Sequence, residues 1–217
     1  QVEDGEAVAL LGHNGSGKTT LSRLFMALNH PRSGQVLVDG VDVRDYPLEE
    51  LRERIGMVLQ TNVLFTGTIR ENLLWGDPNA TEEDMIQAAK DAQAYDFIMS
   101  FPDGFDTVLD QGGVNVSGGQ KQRLCIARAM LRKPAILILD DSTSAVDSAT
   151  DAAIRESFAK NLKGTTVIMI AQRISSVQYA DEIIILDDDH IAGQGTHEEL
   201  LASNSIYQEI YRSQQEG

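Results

Sequence analysis

The sequence has little cysteine, a shortage of basic residues and no long apolar segment. Cys125 is the single cysteine among 217 residues, which excludes an internal disulfide framework. No apolar run approaches the roughly 20 residues that a membrane-spanning helix needs. The chain carries 18 Lys and Arg against 33 Asp and Glu, a net charge of −15. We therefore expect no nucleic-acid partner, since nonspecific binding to nucleic acid needs clustered cations.

What is present is an alternation of short apolar segments with amphipathic ones. The segments with the pattern of buried strands are residues 7–11, 35–38, 55–59, 135–139, 166–170 and 182–186. The segments with the pattern of helices are residues 18–28, 81–94, 118–132, 149–162 and 197–212, and His190 is expected in a turn. The alternation predicts an α/β fold with a mostly parallel sheet. An inserted α-helical subdomain is expected over about residues 42–133.

A phosphate-binding loop follows the first predicted strand. The motif G-x-x-x-x-G-K-[ST] is matched between a strand and a helix, which is the context that this motif requires. Backbone amides of such a loop and the start of its helix bind phosphate oxygens, the lysine meets the β- and γ-phosphates, and the hydroxyl suits Mg²⁺. The predicted nucleotide-binding residues are Gly12, His13, Asn14, Gly15, Ser16, Gly17, Lys18, Thr19 and Thr20.

A carboxylate is expected to complete the magnesium site. Asp140 ends the apolar segment 136–139, and strand ends in a parallel sheet face the ligand crevice. Asp140 is therefore predicted to contact Mg²⁺, directly or through water, together with Thr19.

The segment Val116-Ser117-Gly118-Gly119-Gln120 resembles the signature motif of ATP-binding-cassette (ABC) ATPases, where leucine usually stands at the position of Val116. The resemblance covers residues 1–217 as one nucleotide-binding domain and implies a P-loop NTPase core that uses ATP and Mg²⁺. In this family the signature contacts ATP held by a partner domain in a head-to-tail dimer. Gln60 matches the family's Q-loop, which reaches Mg²⁺ and the attacking water, and Asp147 matches the D-loop, which crosses the dimer.

Two positions depart from the family pattern. The catalytic base of the family is a glutamate after the Walker-B aspartate, where this chain has Asp141. The switch residue of the family is a histidine, where this chain has Gln172. Together these changes imply a site that binds ATP and hydrolyses it slowly, beside an intact signature. The pattern is similar to the weaker half of a heterodimeric exporter, and the alternative is a homodimeric exporter with an aspartate base.

The segment after Gln60 narrows the resemblance to exporters. Residues 63–73 look like the exporter region that docks the coupling helices of a membrane domain, and Trp75 is expected to pack nearby. The implied location is the cytoplasmic face of the cell membrane, as part of an integral membrane transporter. The family's adenine-stacking aromatic lies well before the phosphate loop, so we expect that N-terminal strands and a membrane domain are missing from this chain.

Two functions of another class are left open. One is a soluble ABC ATPase that acts without a transporter, and the other is a regulatory module that binds nucleotide. About 100 residues separate the phosphate loop from the signature, which leaves no room for the coiled-coil insertion of many soluble ABC ATPases. We therefore favour a function in transport over these two alternatives.

Overall fold

A six-stranded sheet forms the centre of the computed structural model, which describes residues 1–13, 15–61, 63–141, 145–188 and 190–215. The strand order is β10-β9-β1-β8-β7-β4, and every neighbouring pair is parallel except the antiparallel pair β9–β10. This arrangement confirms the predicted α/β class with a mostly parallel sheet. The strands are β1 (Ala7–Leu11), β2 (Leu37–Val38), β3 (Val41–Asp42), β4 (Ile55–Val58), β5 (Gly67–Thr68), β6 (Val108–Leu109), β7 (Ile136–Asp140), β8 (Thr166–Ala171), β9 (Glu182–Asp187) and β10 (His190–Gly195).

Helices cover both faces of the sheet. Two single 3₁₀ turns, Gly104–Asp106 and Gln111–Gly113, interrupt the connection from the fifth helix to the sixth. Among the described residues, no helix has both the length and the apolar character needed to cross a membrane. The helices are α1 (Lys18–Phe25), α2 (Leu48–Arg54), α3 (Ile69–Leu74), α4 (Glu82–Asp91), α5 (Tyr95–Ser100), α6 (Gly118–Leu131), α7 (Ser148–Asn161), α8 (Ile174–Val177), α9 (His197–Ser203) and α10 (Ser205–Gln215).

Alternating strand residues build two separate cores, because successive side chains of a strand point to opposite faces. On one face, Leu11 and Leu137 join a large cluster that continues into the helical layer formed by α3 to α6. On the other face, Leu10 and Ile138 pack in a smaller cluster with Leu51 of α2. A helical subdomain is therefore present, as predicted. The range 42–133 also contains β4, which is a strand of the central sheet.

The C-terminal region is helical over residues 197–212, as predicted, but it forms two helices, α9 and α10. The helix is interrupted at Asn204, whose backbone is extended with φ −106° and ψ 117°. The Asn204 side chain accepts a hydrogen bond from Tyr207 N at 2.9 Å and donates one to Ala192 O at 3.0 Å. Asparagine competes with helix continuation in this way, because its short amide can replace backbone partners. The break at Asn204 was not predicted.

The prediction of a turn at His190 was wrong. His190 is the first residue of β10 and pairs with Asp187 of β9. The strand contains two glycines and an irregularity between Ile191 and Gly193, so it lacks the apolar alternation by which strands are detected in a sequence.

A buried carboxylate joins the helical layer to the α/β core. Asp91, at the end of α4, accepts hydrogen bonds from Gln87 Nε2 at 2.8 Å, Ser157 Oγ at 3.0 Å and Asn161 Nδ2 at 2.6 Å. The two latter donors belong to α7, so a single carboxylate connects the two helices. Buried polar groups are costly when they lose their partners, which makes this contact important for stability.

We expect Asp91→Ala to lower the free energy of unfolding by about 1–3 kcal/mol, because the donors from α7 lose a buried acceptor. Asp91→Asn retains an acceptor oxygen and should cost less. Urea denaturation of the purified chain measures both changes. Glu83→Ala, at an exposed position of the same helix, is the control and should stay within about 0.5 kcal/mol of the wild type. Equal stability of the Asp91 and Glu83 variants would contradict a connecting role for Asp91.

Candidate nucleotide-binding site

The phosphate loop lies between the carboxyl end of β1 and the start of α1. Gly17 is the N-cap of α1, with φ 91°, and its lack of a side chain permits this left-handed backbone. The first amides of a helix have no partners within the helix and attract anions. At Gly12, a Cβ atom would lie 2.4 Å from Leu186 O and 2.6 Å from Ser16 Oγ. Glycine is therefore required there by the close approach of β9.

Lys18 is buried inside this loop, with 7% of its surface exposed. Its Nζ donates hydrogen bonds to Gly12 O and His13 O, both at 2.7 Å, and to Ser16 Oγ at 3.3 Å. Burial lowers the pKa of the Lys18 ammonium, and the negative charges of Asp140 and Asp141 oppose that shift. The loop thus holds a desolvated cation that faces two carboxylates.

Asp140 and Asp141 stand at the carboxyl end of β7, opposite the loop. Burial raises the pKa of Asp140, the neighbouring charge of Asp141 raises it further, and Lys18 opposes the shift. Burial also raises the pKa of Asp141, against the charge of Arg173 and a hydrogen bond that Gln60 Nε2 donates to Asp141 Oδ2 at 3.2 Å. Asp141 N donates to Ile170 O at 2.7 Å, which fixes this residue to the end of β8.

Asp141 has an unusual backbone conformation, with φ 44°. Aspartate enters this left-handed region more readily than most residues that carry a Cβ, because its short polar side chain can bond locally. The position is therefore better suited to aspartate than to a longer acid.

One cavity of about 460 Å³ brings these groups together. Gln60 reaches it from the end of β4, the two aspartates from β7, and Gln172 from the end of β8, as expected for carboxyl ends of parallel strands. A second cavity, of about 410 Å³, adjoins it and includes Gly12 and His13 in its lining. Asn14 lies outside the described residues. The residues that line the first cavity are Gly15, Gly17, Lys18, Thr19, Thr20, Gln60, Asp140, Asp141, Ile170, Ala171 and Gln172.

The oxygen donors of this cavity fit Mg²⁺. Thr19, Gln60 and Asp140 all line it and offer a hydroxyl, an amide and a carboxylate. Mg²⁺ is commonly held by one or two protein oxygens together with substrate phosphates and water. Among the described residues, no group of three or more His, Cys, Asp or Glu could form an all-protein metal site. The donor set therefore suits a metal that arrives with a phosphate ligand.

The predicted signature lies away from the cavity, at the start of α6. The Ser117 hydroxyl accepts from Gln120 N at 3.2 Å, and Gln120 Oε1 accepts from Ser117 N at 2.9 Å, which together form a capping box. Ser117 and Gly118 are exposed. This chain thus presents the start of α6 on its surface, separate from its own phosphate loop.

The predicted D-loop packs behind the signature. Ala145 N donates to Gln122 Oε1 at 2.9 Å, and a Cβ on Gly119 would lie 3.0 Å from Ala145 O. Asp147 caps α7 by accepting from Thr150 N at 3.0 Å and Thr150 Oγ1 at 2.7 Å, and these bonds lower the pKa of its carboxyl. Ser144 lies outside the described residues. Asp147 therefore has a structural role within this chain.

Two residues of this region were missed by sequence reasoning. Gln122 is 2% exposed and connects α6 to Ala145, although in the sequence it looks like an ordinary polar residue of the helix. Arg173 lines the second cavity together with Asp141, and its charge opposes the raised pKa of Asp141. For Arg173, the only signal in the sequence was that a basic residue directly follows Gln172.

An apolar surface lies beyond Gln60, on residues 63–75. Phe65 and Trp75 stack with ring centroids 4.7 Å apart, and 66% of Trp75 is exposed, so Trp75 packs on one neighbour rather than in the core. The buried Asn72 accepts from Phe65 N and donates to Phe65 O, both at 2.9 Å. Arg128 of α6 donates to Val63 O at 3.0 Å. The exposed rings therefore stand on a backbone held by α3 and α6.

Comparison with known proteins places these features in one family. The model of the ABC transporter family matches residues 1–144. An uncharacterised ABC transporter ATP-binding protein of Bacillus subtilis (strain 168), YfiB, is 49% identical over 209 residues, which are 96% of this chain and 36% of that protein. An ATP-binding/permease protein assigned to multidrug export in Staphylococcus aureus (strain NCTC 8325 / PS 47) is 45% identical over 213 residues, 98% of this chain and 37% of that protein.

The solved structures give the same result. The structure of a bacterial Atm1-family ABC exporter with ATP bound superimposes with a TM-score of 0.95 at 37% identity, and covers 98% of this chain and 38% of that one. The chain thus spans little more than a third of the length of the relatives that it matches. Motif order, sheet topology and similarity agree along nearly the whole chain, which belongs to the ABC transporter family as a nucleotide-binding domain.

Proposed function

We propose that this chain is the ATP-hydrolysing domain of an ABC exporter, and that its own site is the weaker of two. The observation that carries the proposal is the convergence of Lys18, Asp140, Asp141 and Gln60 on one cavity beside the phosphate loop. That constellation supports phosphoryl chemistry on a nucleotide, since a cation, an oxygen-rich metal site and a base candidate meet at one place.

The bound nucleotide is ATP with Mg²⁺. Loop amides at the start of α1 and the Lys18 ammonium bind the phosphates and neutralise their charge. Thr19, Gln60 and Asp140 would hold Mg²⁺, which supplies charge neutralisation at the β- and γ-phosphates when bound. These residues all reach the cavity from strand ends or from the loop itself, so the sheet fixes their relative positions.

Hydrolysis requires a base and a group that stabilises the γ-phosphate. The oxygen of a water molecule attacks the γ-phosphorus, the bond from that phosphorus to the β–γ bridging oxygen breaks, and the proton of the water passes to the Asp141 carboxylate. Gln60 holds Asp141 through its amide at 3.2 Å. Gln172 donates a hydrogen bond to the γ-phosphate, but its amide carries no charge.

Two features of these residues support slow turnover. The Asp141 carboxylate is one methylene nearer the backbone than that of glutamate, and a base must come within about 2.6–3.2 Å of the proton or act through a water. Gln172 cannot supply the positive charge of an imidazolium. A misplacement of about 1 Å can cost roughly 100-fold in rate. These two side chains therefore support the proposal of a site that binds nucleotide and hydrolyses it slowly.

The partner is a second ABC nucleotide-binding domain from a different half-transporter. Ser117, Gly118 and Gly119 form the surface-accessible start of α6, which can accept an anion from outside the chain. They would complete the competent site by contacting the γ-phosphate of ATP on the partner, with Val116 and Gln120 at the edges of the motif. Asp147 would lie near the same dimer interface.

The apolar surface on residues 63–75 is the proposed contact for coupling helices of a transmembrane domain. Stacked aromatic rings on a firmly held backbone suit a partner helix with an apolar face, because rigid aromatic groups supply contact area at low entropic cost. The S. aureus relative is named as both ATP-binding protein and permease. The complete transporter would place this domain at the cytoplasmic face of the membrane.

The test is ATP turnover by the full-length polypeptide that carries this domain, purified alone and with its partner half-transporter. We expect low turnover alone and at least about 10-fold higher turnover per complex with the partner, because the competent site needs the base of the partner. Ordinary turnover by the polypeptide alone would support instead a homodimer in which Asp141 is the base. An ATP-binding chain that gains no turnover from any membrane-bound partner would favour a regulatory module.

A further inference from the structure

The side chain of Gln214, on the last helix, holds the backbone that follows β8 at two points. Its Nε2 donates a hydrogen bond to Gln172 O at 2.8 Å, and its Oε1 accepts one from Ile174 N at 2.8 Å. Both ends of the amide are therefore used, on residues two apart in sequence. A neighbouring strand would pair with an extended segment in the same way.

The helix that carries Gln214 is itself well anchored. Tyr207 is fully buried and Ile210 is 7% exposed. Asn204, directly before α10, donates to Ala192 O of β10 at 3.0 Å. Gln214 thus connects the segment at Gln172 to a helix fixed by core packing and by the edge of the sheet.

The segment held by Gln214 is the one that faces the nucleotide cavity. Gln172 lines that cavity, and it also lines the second cavity, whose lining includes both Asp141 and Gln214. Gln172 is the residue after the end of β8, so no strand pairing fixes its carbonyl group. The Gln214 amide fixes the Gln172 carbonyl group instead. The position of the Gln172 backbone in turn determines where the Gln172 side chain can reach.

We infer that Gln214 is a positioning residue for ATP hydrolysis, which acts by fixing the backbone of Gln172 and Ile174. The inference rests on the proposed function, in which Gln172 contacts the γ-phosphate. It adds a contribution from the C-terminal helix to a site otherwise built from strand ends and the phosphate loop. Since the hydrogen bonds of the Gln214 side chain go to Gln172 and Ile174 and not to the loop or Lys18 in the part of the chain that the structure describes, we expect nucleotide binding not to depend on Gln214.

The test uses the assembled full-length transporter with Gln214→Ala and Gln214→Met. Methionine keeps the length of the side chain and removes both hydrogen bonds, so it separates packing from positioning. We expect both variants to lower kcat about 10-fold at this site, since small misplacements are costly in catalysis, with little change in KM or in the Kd of a fluorescent ATP analogue. For these measurements the catalytic base of the partner's site is neutralised, so that the measured ATP turnover comes from the site of this chain alone.

Gln215→Ala is the matched control, because it changes an exposed glutamine at the next position of the same helix. It should leave kcat unchanged. Wild-type kcat in Gln214→Met would overturn the inference, and so would an equal fall in the Gln215 variant.

Gln172→Ala distinguishes failure of this inference from failure of the proposed function. If Gln172→Ala lowers kcat and Gln214→Ala does not, the role of Gln214 is refuted while that of Gln172 stands. If Gln172→Ala has no effect, the proposed role of Gln172 is wrong, and with it the inference. The double variant should be no slower than Gln172→Ala alone, and a further 10-fold fall would show that Gln214 acts through another group.

Discussion

Replacing Gly119 by aspartate in the assembled transporter is expected to lower ATP turnover by at least about 100-fold, which is the cost of losing a preorganised anion-stabilising group. The new carboxylate would stand at the start of α6, where the γ-phosphate of the partner's ATP is proposed to bind. Like charges at that point oppose closure of the dimer. An acidic residue in the first turn is favourable for the helix itself, so the fold should persist.

Gly119→Ala is the matched control for that variant. Its Cβ meets the same neighbour, Ala145 O at 3.0 Å, but adds no charge. A modest fall in turnover with alanine and a severe one with aspartate would assign the effect to electrostatic repulsion. Equal losses would point instead to displacement of the segment at Ala145.

Lys18→Ala gives the contrast that identifies the weaker site. In a heterodimer, loss of Lys18 should reduce nucleotide binding at this site, yet lower total turnover less than about 10-fold, since the competent site uses the lysine of the partner. In a homodimer the same change would remove every phosphate-loop lysine and abolish turnover. Total turnover and binding stoichiometry, measured together, decide between the two assemblies. A loss as large as that of Gly119→Asp would refute the asymmetric arrangement.

In the assembled transporter with the base of the partner's site neutralised, the paired substitution Asp141→Glu and Gln172→His is expected to raise ATP turnover at this site about 10-fold, a conservative part of what a well-placed base contributes. Glutamate extends the carboxylate by one methylene toward the attacking water. Histidine can carry the positive charge that the Gln172 amide lacks. Steady-state release of phosphate under saturating ATP measures the gain.

Asp141→Asn combined with Gln172→His is the control for that gain. It keeps the size of the original side chain at 141 and removes the base, so turnover should not rise. Thermal unfolding should also detect a small cost of Asp141→Glu, since φ at this position is 44° and suits aspartate better than glutamate. No rise in turnover with the active pair would refute the explanation of slow hydrolysis by these two residues.

The sequence predicted those parts of the fold and site that depend on local patterns. The phosphate loop, the strand that ends at Asp140 and the start of α6 all combine a short motif with flanking apolar residues, which single-chain reasoning can detect. Strand β10 was not predicted, because its glycines and its irregular pairing with β9 remove the alternation of apolar and polar residues. The break at Asn204 depends on Ala192 O, a partner 12 residues away.

Other parts of the site depend on tertiary contacts that leave no local trace. Gln122 and Gln214 are helix residues of ordinary propensity, and each one meets backbone groups that lie far away in the sequence. The left-handed conformation of Asp141 likewise occurs together with a tertiary contact, the hydrogen bond from its amide to Ile170 O of β8. Such roles can be recognised only in the three-dimensional structure, because no periodicity or motif in the sequence indicates them.

The capping box at Ser117 has a consequence for how this helix meets an anion. The Ser117 oxygen already accepts from Gln120 N, and the Ser117 amide is already used on Gln120 Oε1. A serine oxygen can accept and donate at once, and among the residues that the structure describes the Ser117 hydroxyl proton has no acceptor. A phosphate from another molecule would therefore meet a Ser117 side chain that the capping box already holds in place. Association would then lose less rotational entropy, because this side chain does not have to be ordered on binding.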